Sequence, residues 1–217
     1  MDSRGLYIVI EGPDGTGKTT QADKLEAYFA KKNIPAIHLK EPGGTPIGEA
    51  IRGILLDATL GRTPMTNLLL FTSNRHELWF QKIKPTLEQG ITVIATRNYW
   101  SSLAFQGYGE GMDIPVIEAI TSTFTEQAYM KPDIGIVLNF DNEATRRRRL
   151  TERGALDIFE QKPKEFQNSI IQGYQAIAAA HGAHEVDAEG TIDEVHRRVA
   201  QAIEDSQNLF IQTALDT

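Results

Sequence analysis

Cysteine is absent from all 217 residues. The chain can therefore form no disulfide and no thiolate metal centre, a usage that fits a reducing cytosol. Long apolar runs are missing as well. None approaches the length a bilayer requires, so no membrane partner is expected. Positive charge is not in excess: 22 Lys and Arg stand against 29 Asp and Glu, for a net charge of −7. That balance gives no general reason to expect nucleic acid as a partner, and any anionic ligand needs arginines and lysines concentrated locally. Internal repeats and low-complexity stretches are also lacking. Met1-Asp2-Ser3-Arg4 leads straight into a β-like run, without the charged and then apolar leader of a secretory signal, so the expected location is cytoplasmic.

What is present points to one compact α/β chain. Apolar residues make up 41% of the sequence, an ordinary share for a globular protein. The length suits a single domain over 1–217, with room for a small lid. Gly12-Pro13-Asp14-Gly15-Thr16-Gly17-Lys18-Thr19-Thr20 organises the rest. Gly12, Gly17, Lys18 and Thr19 fit the spacing G-x-x-x-x-G-K-[ST] of a phosphate-binding loop. Glycines let the backbone curl until several N–H groups face one anion, and the helix that opens behind them adds its positive dipole end. Lys18 then reaches the outer phosphates, and the Thr19 hydroxyl is the candidate Mg²⁺ ligand. A helix cap with spare glycines has the same letters. The apolar run Leu6–Ile10 before the motif and the helical pattern after it favour the phosphate loop.

Five short β-like runs are visible: Leu6–Ile10, Ala36–Leu39, Ile91–Ala95, Ile134–Phe140 and Ala183–Val186. The first, third and fourth are nearly continuous apolar stretches, as strands buried on both faces are. Helical stretches alternate with them, which predicts a five-stranded parallel sheet flanked by helices. Glu41-Pro42-Gly43-Gly44-Thr45 forms a loop at the carboxyl end of the second run, where open α/β sheets bind ligands, although the same residues also suit an ordinary turn. Arg52 lies among apolar neighbours in the helix Ile47–Leu56. A long helix is expected over Thr66–Glu88. Phe71 and Arg75 are four apart on it and share a face that can hold a base plane and an anion, or equally a core ring beside a surface guanidinium. Thr96-Arg97-Asn98 closes the third strand and puts a guanidinium at the ligand-binding end of the sheet. Ser102 and Gln106, with Phe105 between them, follow on one helix surface. Arg146, Arg149 and Arg153 recur at helical spacing on a further stretch. They make either a solvated face or a lid over about 146–160 that brings arginine to transferring phosphates. The end, about 204–217, carries no strong pattern and suits a frayed helix or a dimer-edge tail.

Taken in order, these pieces resemble the thymidylate kinase family: the phosphate loop, Glu41-Pro-Gly-Gly-Thr45, Phe71 with Asn74-Arg75, Arg97 with Ala104-Phe105-Gln106, Arg153-Gly154 with Asp157 and Glu160, then Phe166 and Tyr174. The resemblance spans about residues 5–203. It implies a P-loop NTPase fold, ATP and Mg²⁺, dTMP as phosphoryl acceptor, and a homodimer. It implies that Gly12 through Thr20 cradle ATP, with Thr19 helping to hold the metal, and that Arg149 and Arg153 serve the ATP side from the lid. It places Asp14 at the sugar 3′-hydroxyl, Glu41 and Pro42 in the acceptor loop, and Arg52, Arg75 and Arg97 around the acceptor phosphate and base. It stacks Phe71 on the base, sets Ser102 and Gln106 near its edge, and puts Phe105 under the deoxyribose. Lys18, Arg97 and Arg153 then carry the transfer itself. The phosphate loop has Gly15 where one family variant has arginine, so the chain looks like the bacterial type with a basic lid. One departure stands out: Thr96 occupies the place of a family carboxylate, which implies a slower but working kinase. It also leaves open a weakly catalytic nucleotide-binding regulator, and Phe71, Ser102 and Gln106 do not exclude a kinase for another pyrimidine monophosphate such as dUMP.

Overall fold

The computed structural model describes residues 4–140, 143–153 and 158–215, with side chains described for 4–140, 145–152 and 158–206. Its five strands are β1 (Tyr7–Glu11), β2 (Ala36–Lys40), β3 (Thr92–Thr96), β4 (Ile134–Asn139) and β5 (His184–Asp187). All pair in parallel, in the order β2-β3-β1-β4-β5. The expected runs match these strands, but β1, β2, β3 and β5 each extend one residue further, to Glu11, Lys40, Thr96 and Asp187. Apolar patterning ends where the side chains turn polar, whereas the hydrogen-bond ladder continues to the rim of the sheet.

β1 and β3 are buried along their whole length, because neighbours flank them and helices cover both faces. Alternate residues serve two cores. Tyr7, Val9, Val93 and Ala95 pack with Leu68, Trp79, Leu103 and Tyr174 on one side. Ile8, Ile10 and Ile94 pack with Leu25, Phe29, Val195 and Val199 on the other. Helices α1 (Lys18–Lys31) and α10 (Ile192–Leu215) cover that second face. Among the described residues no helix is long and apolar enough to cross a membrane.

Two helical stretches differ from the sequence pattern. The expected helix over Thr66–Glu88 is divided into α3 (Pro64–Leu78), a π-helical turn (Trp79–Ile83) and α4 (Lys84–Glu88). Pro85 has no N–H to donate and its ring crowds the preceding turn, so the helix widens ahead of it. Lys84 N–H accordingly reaches back five residues, to the Trp79 carbonyl. A second wide turn (Leu103–Gly109) follows the short α5 (Trp100–Ser102) and carries Phe105 and Gln106. Helices α2 (Pro46–Leu56), α6 (Ile114–Phe124), α7 (Gln127–Met130), α8 (Glu143–Arg153) and α9 (Lys164–His181) complete the set. Thr45 caps α2 by accepting from Gly48 N at 3.0 Å. Of the two readings of the end, a frayed helix or a tail, the helical one holds as far as Leu215, where α10 ends.

Candidate active site

The phosphate loop runs from the end of β1 to the first turn of α1. Gly12 has φ +136°, and a Cβ there would lie 2.3 Å from the Leu138 carbonyl oxygen, so no side chain fits. Gly17, with φ +88°, is the residue from which α1 starts. Lys18 folds across its own loop and donates from Nζ to the carbonyls of Gly12 (2.7 Å) and Pro13 (2.8 Å), with Asp14 Oδ1 at 3.5 Å. Burial pushes the Lys18 ammonium down to about 8, the charge of Arg97 adds to the fall, and Asp14 opposes it. Thr16 braces the loop by donating to Pro13 O at 2.9 Å. Thr19 and Thr20 are exposed on the wall of the cavity above.

Arg97 is the hub of the centre. Its φ of +79° is left-handed, a conformation a non-glycine residue keeps only where its surroundings hold it. Its guanidinium pairs closely with Asp14, donates to Ser101 Oγ (2.9 Å) and Tyr174 OH (3.0 Å), and lies over the Phe105 ring at 5.3 Å. Behind it, Glu11 is completely buried. Its carboxylate accepts from the Asn98 and Ser101 backbone N–H groups (2.8 and 3.0 Å), from Ser101 Oγ and from Tyr174 OH (2.9 Å). A buried charge persists when its oxygens are satisfied in this way. Burial and the Glu11 charge hold the Tyr174 phenol well above its ordinary range, so it stays a donor.

A second buried ion pair joins Arg75 to Glu41. Arg75 is 2% exposed and donates to Glu41 Oε2 (3.2 Å), Ser102 Oγ (2.9 Å) and Asn98 O (2.9 Å). It also lies 5.5 Å from the centre of the Phe71 ring. This removes the surface-guanidinium alternative for Arg75. Glu41 accepts from Tyr129 OH at 3.0 Å, and burial raises its carboxyl to about 7 against the opposing pull of Arg75 and Tyr129. Asn74 pins the neighbouring loop, accepting from Gly43 N (3.2 Å) and donating to Gly43 O (3.0 Å). Arg52 donates to Pro42 O at 2.9 Å across the cis Glu41–Pro42 bond.

The arginines of α8 divide their tasks. Arg146 is buried and donates to Asp14 O at 3.1 Å, so it supports the phosphate loop from behind. Arg149 donates to Ala188 O and Gly190 O and covers the Phe140 ring at 4.7 Å. The Arg153 side chain, Gly154 and Asp157 lie outside the described residues.

These groups surround one cavity of about 610 Å³, within the range of small-molecule sites. Asp14, Gly15, Gly17, Lys18, Thr19, Thr20 and Arg149 line one end. Glu41, Pro42, Arg52, Phe71, Arg75, Ser102, Phe105 and Gln106 line the other, and Arg97 is also on its wall. Gly12, Pro13 and Thr16 are buried beneath the loop and do not line it. Lys40, Ser101 and Phe159 line the cavity without having been singled out in the sequence. Phe159 joins the aromatic wall, 6.4 Å from the Phe71 ring and 5.6 Å from Phe105. Gln106 is fully buried, and its Oε1 has no hydrogen-bond partner among the described residues.

The comparisons with known proteins agree with this geometry. Residues 10–199 match the family model described as thymidylate kinase. The thymidylate kinase of Prosthecochloris aestuarii is 35% identical over 217 aligned residues, covering 95% of this chain and 96% of that protein. That of Pelotomaculum thermopropionicum is 36% identical, covering 96% and 97%. The crystal structure of thymidylate kinase from Ehrlichia chaffeensis superposes with a TM-score of 0.75 at 29% identity, covering 93% of this chain and 99% of that one. A phosphate loop and an aromatic, arginine-backed wall share one cavity here, and the sequence match runs through both: the chain belongs to the thymidylate kinase family.

Proposed function

We propose that the two ends of this cavity hold the two substrates, ATP at the phosphate loop and dTMP against Phe71, Arg75 and Gln106. As a thymidylate kinase, the chain transfers the γ-phosphoryl group of ATP to dTMP. The observation that carries the assignment of roles is the single cavity itself, with a P-loop lysine at one end and an aromatic, arginine-backed wall at the other. Gly12 through Thr20 cradle the ATP phosphates, and Arg149 borders the nucleotide side. Arg52 and Arg97 receive the acceptor phosphate, while Arg75 acts from behind the Phe71 ring. The unpaired Gln106 oxygen is placed to accept an N–H from the pyrimidine edge. Phe105 lies under the sugar, and Asp14 is offered to its 3′-hydroxyl. Arg153 completes the lid over about 146–160, and the whole chain, 1–217, acts as one kinase domain in the cytoplasm.

The acceptor phosphate is already anionic, so the reaction needs alignment and charge compensation more than a base. Two unit charges about 4 Å apart repel by roughly 4 kcal/mol at an effective dielectric of 20. Lys18, Arg97 and the lid arginines offset that repulsion. Mg²⁺ fits the same frame. Among the described residues no three His, Cys, Asp or Glu converge on one point, and the phosphate oxygens of the nucleotide would be the metal's chief ligands. Thr19 would ligate it and Thr96 would meet its water, both with oxygen, the donor Mg²⁺ prefers. The metal would neutralise charge on the β- and γ-phosphates.

A homodimer is also proposed. Met65, Leu69 and Phe80 on and after α3, with Val116 and Phe124 on α6, are all large apolar residues left about 40–50% exposed. His76 on α3 hydrogen-bonds Phe124 O at 2.7 Å, so α3 and α6 lie side by side there. A patch of that kind marks an interaction surface.

The test is ADP release with Mg·ATP and a panel of dTMP, dUMP, UMP, dCMP, AMP and GMP. Turnover is expected with dTMP above all, and Lys18→Ala should lose about a hundredfold or more. Preference for a different monophosphate would overturn the acceptor-site assignment, and near-normal turnover in Lys18→Ala would overturn that of the loop.

A further inference from the structure

Thr96 is the final residue of β3 and is 2% exposed, yet it borders the cavity. Its Oγ1 lies 3.0 Å from Nε2 of His38 on the adjacent strand β2. The other ring nitrogen, Nδ1, lies 2.8 Å from Asp23 Oδ1 on α1. In the β2–β3 register Lys40 faces Thr96 and His38 faces Ile94, so all four share one side of the sheet, the side that α1 covers. Strand, strand and helix thus deliver one residue each to a continuous hydrogen-bonded line ending at the cavity.

With a neutral imidazole, the chemistry of the line fixes its direction. An ionised carboxylate only accepts, so the proton of a neutral imidazole resides on Nδ1. Nε2 then offers a lone pair, and the Thr96 hydroxyl donates to it. With its proton committed to His38, Thr96 Oγ1 has only lone pairs left to offer, and the hydrogen bond behind it increases their negative character. A threonine alone has a free hydroxyl rotor and can turn its proton either way.

We propose that Asp23 and His38 are positioning residues that hold Thr96 Oγ1 as an oriented acceptor for a water of the nucleotide-bound Mg²⁺. The relay gives a neutral hydroxyl a fixed acceptor role at the end of β3. The inference rests on ATP–Mg²⁺ occupying the phosphate-loop end of the cavity.

Two measurements on the full chain test it. The first is ¹⁵N NMR of labelled histidine in the metal-free protein. His38 is expected as the neutral Nδ1–H tautomer, altered in Asp23→Asn. An Nε2–H tautomer or an imidazolium near neutral pH overturns the relay. The second is calorimetric titration of ATP at varied Mg²⁺ without dTMP. His38→Ala should raise the half-saturating Mg²⁺ concentration by about tenfold, as loss of an outer-shell partner does, with metal-free ATP affinity unchanged. In a Thr96→Asp background the carboxylate needs no orienting proton acceptor, and the same His38→Ala change should cost less than about twofold. Equal losses in both backgrounds, or an equal loss of metal-free ATP binding, would reduce His38 to packing and overturn the proposal. Undiminished ATP binding in Lys18→Ala would instead overturn the site assignment, and the relay with it.

Discussion

With Lys18 at the ATP phosphates, as proposed, nucleotide binding is expected to depend on pH in the alkaline range. Its ammonium is lowered to about 8 by burial first and by Arg97 second, whereas a bound polyphosphate would hold it fully protonated. Above pH 8 the free site must therefore take up a proton to bind ATP. The apparent dissociation constant scales as one plus ten to the power pH minus 8, so affinity should fall about tenfold between pH 7 and 9. Near pH 8 about half a proton should enter per ATP bound. Calorimetry in two buffers of different ionisation enthalpy reads that number directly. The stability of the ATP-free protein should move the opposite way. Between about 8 and 10.5 the folded state binds fewer protons at Lys18 than the unfolded chain does, so this group makes stability rise with pH, by up to about 1.4 kcal/mol per unit. Lys18→Met should remove the rise, and the difference between the two proteins in urea unfolding at pH 8 and 9 isolates it. Zero proton uptake at pH 8, with affinity flat to pH 9, would refute the coupling.

Two further outcomes are expected. Glu41 is raised from 4.5 to about 7, so between those values the folded state binds more protons than the unfolded chain. Its contribution is complete below pH 4.5 and is lost as pH rises through 7, up to about 3 kcal/mol shared with Arg75. Glu41→Gln should flatten that part of the profile when urea unfolding is compared at pH 5 and 7, and an unchanged slope would contradict it. Leu69→Glu places a charge on the exposed apolar face of α3 and should shift micromolar protein to monomer in sedimentation velocity; a wild-type chain that is itself monomeric would sink the dimer.

The sheet was legible because β1 and β3 are buried on both faces and so appear as unbroken apolar runs. The phosphate loop was legible because its backbone geometry demands glycine at Gly12 and Gly17. Arg75 was not separable from a surface arginine, since its burial depends on Glu41, 34 positions away, whose other partner Tyr129 lies 88 positions from it. Glu11 lies just past the expected run Leu6–Ile10 and carried no signal of its own, because its donors come from the loop after β3 and from α9. The two π-helical turns are a matter of backbone spacing that side-chain periodicity hardly registers, although Pro85 is a visible cause of the first. Phe159 carried no signal of its own, and it joins Phe71 and Phe105 only once the chain folds back.

The Glu11 carboxylate has a consequence for how the enzyme comes into being. Its oxygens are satisfied by groups 87, 90 and 163 positions further along the chain. While the protein is being made, β1 and the phosphate loop emerge first, but the charge behind them has no complete partner set until α9 has left the ribosome. The hydrogen-bond network behind Arg97 therefore needs nearly the whole chain before it can close. A nascent or truncated chain ending before Tyr174 carries the full phosphate-loop motif and still lacks the phenol that closes the network behind Arg97.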